Sequence, residues 1–405
     1  MNTILEPARH VPVKQTCDVL VAGGGIAGIA AALAAARRGK RTMLLERGWQ
    51  LGGLATAGLI TIYLPLCDGV GHQLSYGIAE ELLWLTVKHH SEGDYPTLWR
   101  EEHSVEERKA GERFLTQYNP SLFALEAEKL LTESGVSIFY GASVCGVHKE
   151  GEMISAVMVE TPSGRHAIEV ESVVDATGDA VVCALSGAKT ALFQQGNILA
   201  AWYYEYNGKR VAKRSLGACD VPETEKKAGR GETPELLLNR RFGGLDAEEL
   251  SEMMCISHQK MLQDILKHRE ENPEYLPVTI PTMPQVRMTR RLVGAYTQDD
   301  TENGVSYADS VGMFGDWRKR GPAYELPFST LWGKEIPNLI AAGRCISVTD
   351  AMWDITRVIP VCAVTGEAAG TAASLGNDFS KLDVAALQAA LREQGVKLHR
   401  EDLAW

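Results

Sequence analysis

The absences in this sequence narrow its chemistry first. Its eight cysteines, at positions 17, 67, 145, 183, 219, 255, 345 and 362, form no CxxC pair. That removes the spacing of zinc ribbons and of ferredoxin-type clusters, and no metal site is expected. Most of the cysteines sit among apolar neighbours, as in Val181–Leu185 and Val361–Ala363, which reads as buried free thiols in a reducing compartment. Cationic excess is also absent. The formal net charge is −11, which argues against a broad nucleic-acid surface. The opening MNTILEPARHVPVKQ lacks an uninterrupted apolar run, so no secretory signal is expected. LATAGLITIYLPLC, residues 54–67, is apolar but too short to span a bilayer. A cytoplasmic chain with no integral membrane segment is therefore expected. Internal repeats and low-complexity linkers are missing too, and 405 residues suffice for two domains or one with insertions.

Charge is missing from one further place. No charged residue falls between Val19 and Ala36, within VLVAGGGIAGIAAALAAARRGKRTMLLER. The run approaches the length of a membrane span, but three consecutive glycines, Gly23–Gly25, interrupt it. VLVA before them suits a buried strand. IAGIAAALAAARRGK after them suits a helix stopped at Gly39. RTMLLE then reads as a second buried strand. The unit is βαβ, with the loop Gly23-x-Gly25-x-x-Gly28. At this spacing the first glycine allows the turn, the second lets backbone approach a pyrophosphate, and the third lets the helix pack on the sheet. The phosphates sit at the positive end of the helix. Glu46 ends the second strand, where it can accept from a ribose hydroxyl.

The rest of the chain supplies a coarse map. Asp68–His90 reads as glycine turns followed by a helix, and Glu92–Gly111 as a polar surface excursion. Ser121–Ser134 is an amphipathic helix. Val136–Tyr140 and Ser143–His148 are strands, Ile154–Glu160 and His166–Glu171 a hairpin, and SVVDATGDA (172–180) a buried strand entering a turn. Residues 190–330 carry more Tyr, Trp and Arg and no second GxGxxG. Asp246-Ala-Glu-Glu249 resembles a capping box opening a helix to about Lys267. Strands are expected at 276–284 and 337–342, and helices at 366–376 and 384–394. The expected fold is α/β: a Rossmann-type dinucleotide domain built from 1–60, 120–185 and 335–380. A mixed α/β substrate domain from 61–119 and 186–334 is inserted in it, and 381–405 form a C-terminal helix and tail.

The glycine loop does not separate NAD from FAD, but three blocks resemble the FAD-dependent oxidoreductases of the glutathione reductase type. They are VLVAGGGIAGIAAALAAARRG with LLERGWQLGGLAT, then VVDATGDA, then NLIAAGRCISVTDAMWDITRVIPVCAVTGEAAGTAA. Within that superfamily the chain is most similar to the fumarate-reductase-like branch. The resemblance implies non-covalent FAD, with Gly23, Gly25, Ala27 and Gly28 at the pyrophosphate and Glu46 with Arg47 at the ribose. Gly52 and Gly53 would pack near the phosphates or ribityl chain. Gly178 and Asp179 would border the cofactor, and Gly343 and Arg344 would lie beside the ribityl–pyrophosphate region. Gly366 and Glu367 open the last Ala-rich segment. A helix starting there would aim its positive end at the flavin and stabilise charge on the reduced ring.

The catalytic residues are less legible. Relatives carry a His–Glu pair after AGRCIS, whereas Asp350 and Ala351 stand here, and Asp354 replaces a glycine. Asp350 and Asp354 would repel on one helical face unless Arg357, a substrate cation or water compensates. Arg357 is the expected charge stabiliser and Asp350 the expected base. Arg287 and Arg291 suit a carboxylate or phosphate. His72 lies in a glycine-rich loop and could reach a substrate. The expected reaction is hydride transfer between flavin N5 and a small polar, carboxylate-bearing metabolite. The electron partner and oligomeric state stay open. Reduction of an activated C=C bond and a non-catalytic flavin-binding protein are the alternatives.

Overall fold

In the computed structural model, which describes residues 3–88, 97–100, 103–217 and 236–403, the uncharged segment and its flanks resolve as strand β1 (Val13–Ala22), helix α1 (Ile26–Arg37) and strand β2 (Thr42–Glu46). β1 and β2 run parallel with Val19 opposite Thr42. Val19–Ala22 and Met43–Leu45 are buried. Layers cover both faces of these strands, so the strands are continuously apolar and not alternating.

The main sheet runs Ser137–Tyr140, β2, β1, Gly164–Asp175, and all three of those junctions are parallel. Gly164–Asp175 is one strand, where the sequence suggested two, and its outer edge forks. The first half pairs antiparallel with Met153–Thr161, which carries Ser143–Glu150. The last three residues pair in parallel with Leu339–Ala341. Strands from the two ends and the middle of the chain thus share one sheet with β1, whose end opens the glycine loop.

The Ala-rich helix α1 is buried along most of its length. It lies between the sheet and a closing helix, Ile359–Leu375. The crossing is close. A Cβ on Gly366 would sit 2.2 Å from the Ala27 carbonyl oxygen, and one on Gly370 2.1 Å from that of Ala31. Gly366 is therefore an interior packing residue, not a helix start. The closing helix begins seven residues earlier, at Ile359, with Pro360 in its first turn, where proline is tolerated. Ile359–Thr365 is as apolar as the strands, so its pattern hid the helix start.

The 186–334 stretch does not share one core. Phe193, Met288, Val311, Phe314, Tyr324 and Leu326 join the main core with α1 and the closing helix. A smaller core of Ala201, Tyr203, Met261, Ile265 and Tyr275 lies where helix Ala247–Glu271 packs on a three-stranded sheet. That sheet comprises Ala201–Tyr206, Val211–Leu216 and Leu276–Thr279. Asp246 caps the helix by accepting from the Glu249 amide at 2.9 Å. Glu249 turns instead to the Gly243 and Gly244 amides, so the expected capping box is half formed. The tail helix is Val384–Glu393. Parts of the 61–119 stretch and Cys219 lie outside the described residues. Among the described residues, no single helix is long and apolar enough to cross a membrane.

Glu367 proves to be a fold residue. Its Oε2 accepts from the Ile78 amide at 2.8 Å and so caps the helix Ile78–Val87, whose preceding residue, Gly77, has no side chain to do so. Glu367 is 2 % exposed. Burial pushes its carboxyl up to about 8, partly offset by the Ile78 N–H. The folded chain then holds a proton that the unfolded chain releases near the ordinary value of 4.5. Stability from this group is present below that ordinary value and is lost as pH rises through about 8. Thermal denaturation of the wild type and Glu367→Gln should therefore show the wild type losing ground to the variant as pH rises through this window. A difference that stays constant with pH would show that Glu367 titrates like an exposed carboxylate.

Candidate active site

The glycine loop is built by three different constraints. Gly23 adopts φ +103, and a Cβ there would lie 2.5 Å from the Ala176 carbonyl oxygen. Gly28 lies under the turn, with its Cβ position 1.8 Å from the Gly23 oxygen. Neither position accepts a side chain. Gly25 differs, because a Cβ there would meet nothing within 4 Å. It faces a cavity of about 950 Å³. Gly23, Gly25, Ala27, Glu46, Arg47, Gly52 and Gly53 line this cavity, as do Gly178, Asp179, Gly343, Arg344 and Arg357. Gly28 does not, because it is consumed by packing the helix onto the turn.

On one side stand Glu46, Arg47, Trp49, Ser143 and Val144. The Glu46 carboxylate accepts from the amides of Gly24 (2.9 Å) and Gly48 (2.6 Å), which orients it at the end of β2. Trp49 is 74 % exposed and packs over Gly141, whose missing side chain makes room for the indole. Gly52 donates to the Gly24 oxygen at 2.8 Å, bringing the second glycine pair against the first. Asp179 accepts from Arg344 (3.2 Å) and Thr289 (2.8 Å), and Arg344 also donates to the Arg287 carbonyl at 2.7 Å. Gly178 leaves space for that guanidinium, since a Cβ there would be 2.5 Å from Arg344 Nη2.

On the other side stand Thr282, Met283 and Pro284 with Gly343, Ile359 and Cys362. Two helices begin at this cavity, α1 and the closing helix. Neither has a side-chain cap or an acid in its first turn, so the positive ends of both remain open to an anionic ligand. With the open wall at Gly25, this fits a ligand carrying a diphosphate. Gly23, Gly25, Glu46, Gly52, Gly53, Gly343 and Arg344 would hold FAD here.

The expected catalytic residues scatter. Arg357 ends the short helix Asp350–Thr356 and reaches the cavity wall. Asp354 is fully buried and accepts from Arg357 and, at 3.4 Å, from Arg318. Asp350 stands outside the cavity wall, where burial raises its carboxyl and the Arg291 charge pulls it back. The two carboxylates therefore escape mutual repulsion by taking different arginines. Arg291 lies over the Trp353 ring, and Arg287 lies over Trp202 and donates to the Gln285 carbonyl at 2.6 Å. His72 is buried against Asp68, 3.0 Å away. None of Asp350, Arg287, Arg291 and His72 lines the cavity, because each is drawn to a partner in the protein. Gly366 and Glu367 are absent from the wall as well, being used at the helix crossing and the Ile78 cap.

Sequence reasoning missed Trp49, Ser143 and Val144, Thr282–Pro284, and Arg318. Trp49 lies within the ERGWQLGG block, and an aromatic three residues after Glu46 was its signal. The others come from a distant strand, a loop and a hairpin turn and carry no local pattern.

The profile of the FAD dependent oxidoreductase family matches residues 18–201 and 202–391. No match to a curated protein was found. Among solved structures, the chain is similar to a flavoprotein/dehydrogenase from Cytophaga hutchinsonii, at 13 % identity over 92 % of this chain and 82 % of that one, TM-score 0.47. It is similar to a geranylgeranyl bacteriochlorophyll reductase-like protein from Thermoplasma acidophilum, at 17 % identity over 96 % and 86 %, TM-score 0.45. It is also similar to the 3-ketosteroid-Δ4-(5α)-dehydrogenase from Rhodococcus jostii RHA1, at 16 % identity over 89 % and 97 %, TM-score 0.41. Likenesses this distant carry no argument about the reaction. The family match spans nearly the whole chain, and on that ground the protein belongs to the FAD dependent oxidoreductase family and is an FAD-dependent enzyme.

Proposed function

We propose that this enzyme transfers a hydride between a small carboxylate-bearing metabolite and non-covalently bound FAD. The observation that carries the reading is Arg357 in the cavity wall, its guanidinium held from behind by Asp354. Arg357 lines the cavity and immediately precedes Val358, the N-cap of the closing helix. A guanidinium beside an open helix N-terminus favours a carboxylate, because both present N–H donors and positive potential to the same point. FAD supplies the two-electron chemistry. The protein's part is to hold the metabolite's carboxylate at Arg357 and to stabilise negative charge that develops near it. The same group serves either direction, including reduction of a C=C bond conjugated to a carboxylate, the chemistry of the fumarate-reductase-like branch.

Non-covalent binding is supported by the state of Cys362, a cysteine in the wall. Burial pushes its thiol up to about 12, which keeps it protonated and a poor nucleophile. The segment around Ala201–Tyr206 and helix Ala247–Glu271, with its own small core, is the proposed substrate cap. Leu250 and Thr282–Pro284 bring it to the cavity.

Two experiments test this reading. Gly25→Val should purify folded with far less than stoichiometric flavin, because the new side chain enters the space left for the diphosphate. Flavin absorbance per protein is the measurement, and normal content would place the phosphates elsewhere. Arg357→Ala should retain FAD but slow anaerobic flavin bleaching by ~100-fold, the usual scale for one charge-stabilising group. The screen is stopped-flow bleaching over hydroxy, amino and unsaturated acids. Bleaching by neutral alcohols alone, or an unaltered rate in the variant, would sink the carboxylate reading.

A further inference from the structure

Behind Arg357 lies a network of buried charges that no sequence motif announced. Asp316, Arg318 and Asp354 have side chains 0 % exposed, and Arg357 only 7 %. Arg318 grips Asp316 with two parallel bonds, Nε to Oδ1 at 2.8 Å and Nη2 to Oδ2 at 2.9 Å. Its Nη1 reaches Oδ2 of Asp354 at 3.4 Å, while Arg357 meets the other oxygen, Oδ1. Trp317 Nε1 donates to the Asp354 carbonyl at 3.0 Å. Asp316–Arg318 follow the strand Ser310–Gly315 and precede its partner Ala323–Pro327. Arg113 holds that turn by donating to the carbonyls of Asp316 (2.8 Å), Trp317 (2.9 Å) and Lys319 (3.1 Å).

We propose that Asp316 and Arg318 are positioning residues, which act through Asp354 to fix Arg357 at the cavity wall and so set the enzyme's affinity for carboxylate ligands. This rests on the reading of Arg357 as the carboxylate-binding group. Asp354 is divided between two arginines, one oxygen each. With Arg318 absent, Oδ2 becomes available to Arg357. A carboxylate offering both oxygens to one guanidinium draws it into a two-bond fork, away from a ligand on the cavity side. Asp316 matters because its fork with Arg318 fixes the angle from which Arg318 claims Asp354. A stability role alone is a weak account of the arrangement. Buried ion pairs add little over apolar packing of the same volume, and their best-attested use is to specify geometry.

The test uses holoenzyme and titrates acetate, succinate and benzoate while following the flavin absorbance spectrum. The wild type should show a saturable spectral change, and Arg357→Gln should abolish it while keeping FAD. Arg318→Gln should retain FAD and raise the carboxylate Kd by ~10-fold or more, the scale of one charge-assisted hydrogen bond. Arg318→Lys should recover part of this loss, because it keeps the charge and loses the fork. Arg318→Gln with full flavin and a wild-type Kd overturns the proposal. Should that variant fail to fold, Asp316→Asn, which keeps both arginines and nearly the same shape, decides it: a raised Kd supports the proposal and an unchanged Kd overturns it. If the wild type gives no spectral change, or Arg357→Gln keeps it, the Arg357 reading itself falls and the proposal falls with it.

Discussion

The close crossing of α1 and the closing helix is the constraint on which the other features depend. The two backbones approach until carbonyl oxygens of Ala27 and Ala31 occupy the space where Cβ atoms of Gly366 and Gly370 would be. Only glycine allows that approach, and the alanines of α1 keep the opposing surface flat. The consequence lies at one end of the pair. Ile26 and Ala27 of α1, and Ile359 and Cys362 of the closing helix, face one cavity. Two helix N-termini, each uncapped by any side chain, then open on the same cavity. Larger residues at the crossing would separate the helices and divide the positive potential between two places.

Charge is placed with the same economy. Glu46 is tied by two amides of its own turn regions, Asp179 by Arg344 and Thr289, and Asp354 by two arginines. Each anion near the cavity therefore has a protein partner. Arg357 stands where the helix start reinforces its charge. Asp354 lies fully buried between Arg318 and Arg357, so this geometry is held tightly. Glu367, away from the cavity wall, differs in protonation. Beside the Ile78 amide, burial holds its carboxyl near neutral form, a state suited to a helix cap deep in apolar surroundings.

The glycine loop and its βαβ unit were the most legible part of the chain because their determinants are local. Gly23, Gly25, Gly28 and Glu46 lie within one βαβ unit, and the period and punctuation of that unit mark it. The surroundings of Arg357 were less legible. Arg357 was singled out as the lone cation in its run, but its partner Arg318 comes from a turn in a separate hairpin. Asp350, Arg287, Arg291 and His72 look chemically competent as residue types. Each is claimed by a nearby group: Arg291, Trp202, Trp353 and Asp68 respectively. Polarity and spacing along a chain do not reveal such claims.

The sequence by itself determined the βαβ unit, its glycine loop and the family to which the chain belongs. The first two follow from steric and periodic rules acting over a few tens of residues, and the family from its resemblance to three blocks spread along the chain. Tertiary structure alone decided that Gly366 packs a crossing and that Glu367 caps a distant helix. It also decided that the closing helix begins at Ile359 and that Arg318 stands behind Arg357. For Gly366, Glu367 and Arg318 the deciding partner lies far away in the chain. The energy of a buried glycine, acid or arginine is set by what the fold brings against it, and neighbouring residues carry no record of that.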